Sequence, residues 1–133
     1  MKIWKHSSFD VILLILSVGQ FVTTLLLANS WNKASVFSRV AGFVLLVAMT
    51  VYNIIVVSHL FTHTAWFRSP QLNRLVSMLN SINIGQSVQA YELTHVRNHH
   101  RYNNDQQRPD GRTLDLSSTF RDGTDGKHVS LFR

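Results

Sequence analysis

Between Asp10 and Lys33, and again between Arg39 and Arg68, the chain has no Lys, Arg, Asp or Glu. The first stretch has the core VILLILSVGQFVTTLLLA (Val11–Ala28), the second VAGFVLLVAMTVYNIIVV (Val40–Val57). A helix needs about 20 mostly apolar residues to cross the hydrocarbon of a bilayer. Backbone placed there must also satisfy its own hydrogen bonds, which helices do. The two stretches therefore predict an all-α fold built on a membrane helical hairpin. Its transmembrane helices cover about residues 11–31 and 40–60, with 29–39 as the short turn. Gln20 and Asn53 are costly in lipid and are expected to face protein. Lys2 and Lys5 would also suit the basic end of a signal peptide. No small-x-small cleavage site precedes a soluble domain, however, and a second span follows at once.

Charge sets the expected orientation. The short turn carries Lys33 and Arg39, whereas the other side carries Lys2, Lys5, Arg68, Arg74, Arg97 and Arg101. The positive-inside rule then puts the N-terminus and everything after Leu60 in the cytoplasm, as part of a multi-pass integral membrane protein. Lys plus Arg exceed Asp plus Glu by 13 to 7. The basic residues are scattered rather than banded on an aromatic face, so nucleic acid is not an expected partner. The chain has no cysteine, which excludes disulfides, thiolate zinc sites and iron–sulfur clusters from its own residues.

After the hairpin, Ser69-Pro70 marks a break. Leu72, Leu75, Val76, Leu79 and Ile82 then follow helical spacing. Gly85 interrupts, and Val88, Ala90, Tyr91 and Leu93 continue. From Leu75 to Tyr91 the chain is uncharged but rich in Ser, Asn and Gln. This composition predicts an interfacial amphipathic helix over about residues 71–91 rather than a third span. A cytoplasmic segment and polar tail follow over 92–133. Asp110-Gly111, Asp122-Gly123 and Asp125-Gly126 are turn signals. LDLSSTF between them suits either a short strand or an extended loop, and Leu131-Phe132-Arg133 carries no recognisable pattern.

Five histidines fall into two clusters, His59 with His63 and His95 with His99 and His100. On an α-helix, residues four apart lie about 40° apart, so each i, i+4 pair shares a face. His100 is turned about 100° from His99. From Val40 to His59 is about 29 Å of helix, which puts His59 at the end of the second span. Neutral imidazole ligates iron, copper, nickel or zinc. The zinc hydrolase motif H-E-x-x-H is absent, because Leu60-Phe61-Thr62 and Val96-Arg97-Asn98 stand between the paired histidines. Adjacent His99-His100 at a membrane surface does not suit axial haem ligation. Glu92 is either a partner that orients His95 or a solvated charge. Asp105 either accepts an imidazole N–H or belongs to a helix-ending polar turn. His6 and His128 read as ordinary polar residues, and Trp4, Trp31 and Trp66 as interfacial anchors.

The segments SHLFTH and THVRNHH resemble the first and second histidine boxes of the membrane fatty acid desaturases and related hydroxylases. NSINIGQ, YELTHVRNHHRYNND and PDGRTLDLSS are similar to the surrounding text of that family, so the resemblance runs from Val40 to Ser118. It implies that the chain is the N-terminal portion of such an enzyme. It implies two irons as cofactor, with His59, His63, His95, His99 and His100 among the ligands. It further implies O2-dependent oxidation of a lipid acyl chain to introduce a double bond, with electrons from a ferredoxin or cytochrome b5. A hydroxylase or ketolase acting on an alkane, carotenoid or sterol is the neighbouring reading. A non-catalytic metal- or haem-binding membrane protein is the reading from another class. The family's third box, H-x-x-H-H or Q-x-x-H-H, is missing from this sequence. Five imidazoles fall short of the family's eight or nine, so these residues by themselves are expected to have no desaturase activity. Conversion of a labelled acyl substrate by the isolated chain, given reductant and O2, contradicts that expectation.

Overall fold

The computed structural model describes residues 2–121 together with Lys127 and His128. The turn signals at Asp122-Gly123 and Asp125-Gly126 and the terminal Leu131-Phe132-Arg133 lie outside the described residues. The regular structure among the described residues is helical, with one isolated antiparallel bridge between Trp4 and Phe67. It divides after Val88 into two compact units.

In the first unit, α1 spans Asp10–Ser30 and a 3₁₀ turn, Trp31–Lys33, closes it. Ser35 then caps α2 (Val36–Tyr52) by accepting the Ser38 N–H at 3.1 Å. The helical rod does not stop at Tyr52. A π-helical stretch, Asn53–Ser58, carries it into α3, His59–His63. The second apolar helix is thus continuous over Val36–His63, longer at both ends than the charge-free pattern predicted. The hairpin closes because Gly42 admits Leu27. A Cβ at Gly42 would lie 2.8 Å from Leu27 Cδ2.

The two long apolar helices bury few of their apolar side chains and expose many. Ser17 and Gln20 are the buried residues of α1, whereas Ile12, Ile15, Val22, Leu25 and Leu26 point outward. Soluble proteins bury their apolar side chains. Two long helices with the opposite arrangement fit a membrane protein, whose apolar solvent rewards no apolar burial. The expectation for Gln20 and Asn53 holds, since both are buried against protein at 2 % and 1 % exposure.

The Ser69 hydroxyl caps α4 (Pro70–Ile84) with Pro70 at its first turn, and Gly85 ends it in the left-handed conformation at φ 68°. The helix predicted to run to residue 91 therefore breaks at Gly85. Its polar side faces α1. Asn83 Nδ2 donates to Ser17 O at 2.8 Å and to Ser17 Oγ at 3.0 Å, and the Ser17 hydroxyl bonds Asn80 Oδ1. Gln20 Nε2 donates to Asn83 O at 2.9 Å and to Thr50 Oγ1 at 3.1 Å, tying α1, α2 and α4 together. Each such bond contributes about 0.6 kcal/mol in lipid, so the set fixes register more than bulk stability.

A clamp closes the end of this unit from which α1 and α4 both start. Lys5 N–H donates to Trp66 O at 2.7 Å, Arg68 N–H donates to Ile3 O at 3.0 Å, and Trp4 stacks on Phe67 with centroids 4.7 Å apart. The Asn73 amide holds the Phe67 backbone on both sides, each bond 2.9 Å. Trp66 corrects the sequence reading. At 1 % exposure, with its ring edge-on to Phe61 at 5.1 Å, it is a packing residue and not an interfacial anchor.

In the second unit, α5 (Val88–Glu92) passes into another π-helical stretch, Leu93–His99, and ends in α6, His100–Tyr102. Asn103 and Asn104 then adopt positive φ, 48° and 60°, and reverse the chain. The segment 103–121 forms turns, so LDLSSTF is a loop and not a strand. Gly111 at φ 76° bears out the Asp110-Gly111 turn. His128 is engaged: its Nδ1 lies 2.6 Å from Thr119 Oγ1 and its ring packs on Phe120.

Candidate metal centre

The first histidine pair sits just past a change of helical winding. In the π-helical stretch, residues five apart share a face. Ser58 Oγ accordingly donates to Asn53 Oδ1 at 2.6 Å, inside the protein. α-Helical spacing resumes at His59, so His59 and His63 lie one above the other with ring centroids 4.8 Å apart. Thr62 Oγ1 donates to the His59 carbonyl at 2.7 Å, and Phe61 between the histidines turns inward. His59 is half-buried and His63 exposed.

The second cluster lies within its own π-helical stretch, with a different outcome. Residues five apart pair twice along it. Arg97 donates to Glu92 at 3.0 Å, and Nε2 of His100 lies 3.1 Å from Nε2 of His95. An α-helical reading places His95 with His99. Those two rings are 5.5 Å apart and nearly parallel, but it is His95 and His100 whose nitrogens meet. Two imidazole nitrogens bound to one first-row cation at about 2.1 Å lie roughly 3.0–3.4 Å apart. The His95–His100 pair fits that spacing.

His99 is held by a carboxylate. Its Nδ1 lies 2.6 Å from Oδ2 of Asp115, which is fully buried. The same carboxylate accepts the Asn104 N–H at 2.7 Å and the Ser117 N–H at 2.8 Å. Burial pushes the Asp115 carboxyl up, but the Ser117 and Asn104 amides and His99 outweigh it, and the group titrates below its ordinary value. Ionised Asp115 accepts only, so His99 Nδ1 is the donor, and in the neutral ring Nε2 then presents a lone pair. A carboxylate that fixes the tautomer in this way commonly orients metal-bound histidine.

Of the two carboxylates singled out from sequence, Glu92 is engaged by Arg97. Asp105 accepts the Leu114 N–H at 3.0 Å and the Asp115 N–H at 2.9 Å. Those amides hold its carboxyl below the ordinary range. Asp105 binds backbone rather than an imidazole, and it shapes the loop that delivers Asp115. Asn98 supports the same loop, donating to Leu114 O at 2.9 Å and accepting the Leu116 N–H at 2.7 Å. Sequence reasoning missed Asp115 because 16 residues and a loop of then undecided structure separate it from His99.

The donor set is imidazole nitrogen with carboxylate support, which suits iron, copper, nickel or zinc. The chain from residue 36 to 132 matches the family model described as fatty acid desaturase. No curated protein and no solved structure gives a significant match. The match covers the second apolar helix, both histidine clusters and the loop that carries Asp115, and on it the chain belongs to the fatty acid desaturase family.

Proposed function

We propose that this chain contributes to O2-dependent di-iron oxidation of a lipid acyl chain, introducing a double bond. His59 and His63 serve as iron ligands from the first segment, and His95, His99 and His100 from the second. Asp115 orients His99. The bound irons supply the oxidising power needed to remove hydrogen from an unactivated C–H bond, using O2 and two electrons from a ferredoxin or cytochrome b5. The histidines face the cytoplasm in this reading, on the side where positive charge accumulates. The substrate is a lipid, reached from the bilayer that the apolar helices occupy.

The observation that carries the proposal is the 3.1 Å approach of the His95 and His100 nitrogens beside a carboxylate-held His99, in a chain of this family. The test is anaerobic Fe(II) loading of the protein in lipid nanodiscs, followed by iron analysis and Mössbauer spectroscopy. The proposal expects retained non-haem iron with nitrogen and oxygen ligands, lost in His63→Ala and His99→Ala. No retained iron, retention unaffected by both substitutions, or a Soret band from haem contradicts it.

A further inference from the structure

An interfacial amphipathic helix turns its apolar face to lipid and a polar or charged face to water. The second face is missing from α4. Val76, Ser77, Asn80 and Asn83 are buried, and Asn80 and Asn83 bond α1. After Arg74 the exposed residues of the helix are Leu75, Met78 and Ile82, at 61 %, 63 % and 63 % exposure. Exposed polar residues, Gln71 and Arg74, occur only near the start of the helix. No charged residue follows Arg74 until Glu92.

Direction and depth agree with this pattern. α4 starts beside the segment that precedes α1, where Trp4 pairs with Phe67. It then runs parallel to α1, meeting Ser17 through Asn80 and Gln20 through Asn83. Gln20 lies midway along an apolar helix that extends from Asp10 to Ser30. A helix that ends at such depth leaves carbonyls without water, and these must find protein donors. Gln20 Nε2 supplies one to Asn83 O at 2.9 Å, and the turn back out is tied by the Val88 N–H on Ser81 Oγ at 3.0 Å.

We propose that α4 is a re-entrant helix, inserted beside α1 into the leaflet from which both helices start, with Leu75, Met78 and Ile82 packed against lipid acyl chains. Ile12 and Ile15 of α1 are likewise exposed, and the buried amides of Asn80 and Asn83 join α4 to α1. This inference needs only the membrane hairpin and does not depend on iron.

The chain has no cysteine, so single-cysteine variants at Leu72, Leu75, Met78 and Ile82 can carry a nitroxide without background labelling. The protein is reconstituted in nanodiscs, with a label at Ile15 as the lipid-facing reference and one at Lys5 as the aqueous reference. Collision with O2 is compared with collision with a water-soluble nickel chelate. The proposal expects O2-dominated collision at Met78 and Ile82, as at Ile15. Labelled depth should increase along the helix, by up to about 15 Å between Leu72 and Ile82 at 1.5 Å per residue. Equal shallow depth at all four positions means a helix lying flat and overturns it. Chelate access at Ile82 equal to that at Lys5 overturns it as well. Low collision with both reagents means another protein surface covers the face, and that too overturns it.

Discussion

The two histidine-bearing segments share a spacing in sequence but differ in what holds them. His59 and His63 stand at the end of a helical rod whose neighbouring winding is set by buried hydroxyls and amides, with Ser58 on Asn53 nearest. His95, His99 and His100 stand on a short helix gripped by a turn-rich loop, through Asp115, Asp105 and Asn98. The first segment depends on helix packing and the second on carboxylates that collect N–H donors. The winding also acts differently. A π-helical stretch before the first pair leaves it α-helical, whereas one running through the second brings residues five apart together. The same H-x-x-x-H spacing therefore yields tilted rings 4.8 Å apart in one place and nearly parallel rings 5.5 Å apart in the other, where the nitrogens that meet are those of His95 and His100.

The largest expected effect separates the two supports. Asp115→Ala strands the His99, Asn104 and Ser117 donors and is expected to cost about 3 kcal/mol locally, roughly a hundredfold in exchange. Hydrogen exchange should rise at Asn104 and Ser117 and stay unchanged in Val36–His63. Protection that persists at Asn104 breaks the comparison. Gly42→Ile acts on the other region, forcing Leu27 away and destabilising the hairpin by about 2 kcal/mol. The denaturation midpoint in detergent should fall while exchange in residues 93–119 holds. Ser58→Ala leaves Asn53 Oδ1 without its donor, at about 1 kcal/mol. Exchange near His59 should rise, and none near His95.

Acidification gives the smallest effect. The Asp105 carboxyl is held below its ordinary value of 3.8 by the Leu114 and Asp115 amides. A depressed carboxylate contributes stability that is fully present above 3.8 and is lost as pH falls through the folded value. The loop at 105–119 should thus keep its NMR dispersion at pH 5 and lose it on further acidification, before the first segment changes. Simultaneous loss in both segments contradicts the separate supports.

What the sequence made legible follows physical range. Charge-free stretches mark the two helices long and apolar enough to cross a membrane, because lipid penalises charge residue by residue, and Ser69-Pro70 and Gly85 mark the ends of α4 through local backbone geometry. Histidine spacing located the candidate ligands but not the meeting of His95 with His100. A π-helical insertion has no composition of its own, so the meeting of His95 with His100 was hidden in a pattern that pairs His95 with His99. The partner of His99 was equally hidden, because Asp115 arrives across a loop held by Asp105, Asn98 and Asn104. Periodicity identified two faces on α4, yet it does not say which one meets protein. The buried amides Asn80 and Asn83 decide that.

The central claim is that the second segment is wound to present His95 and His100 to one cation. Iron retention by His95→Ala and His100→Ala, compared with the parent protein in nanodiscs at equal Fe(II), tests it most directly. The account predicts that both variants lose iron to the same extent, and that the double variant loses no more than either. Full retention in His100→Ala, with loss confined to His95→Ala, contradicts it.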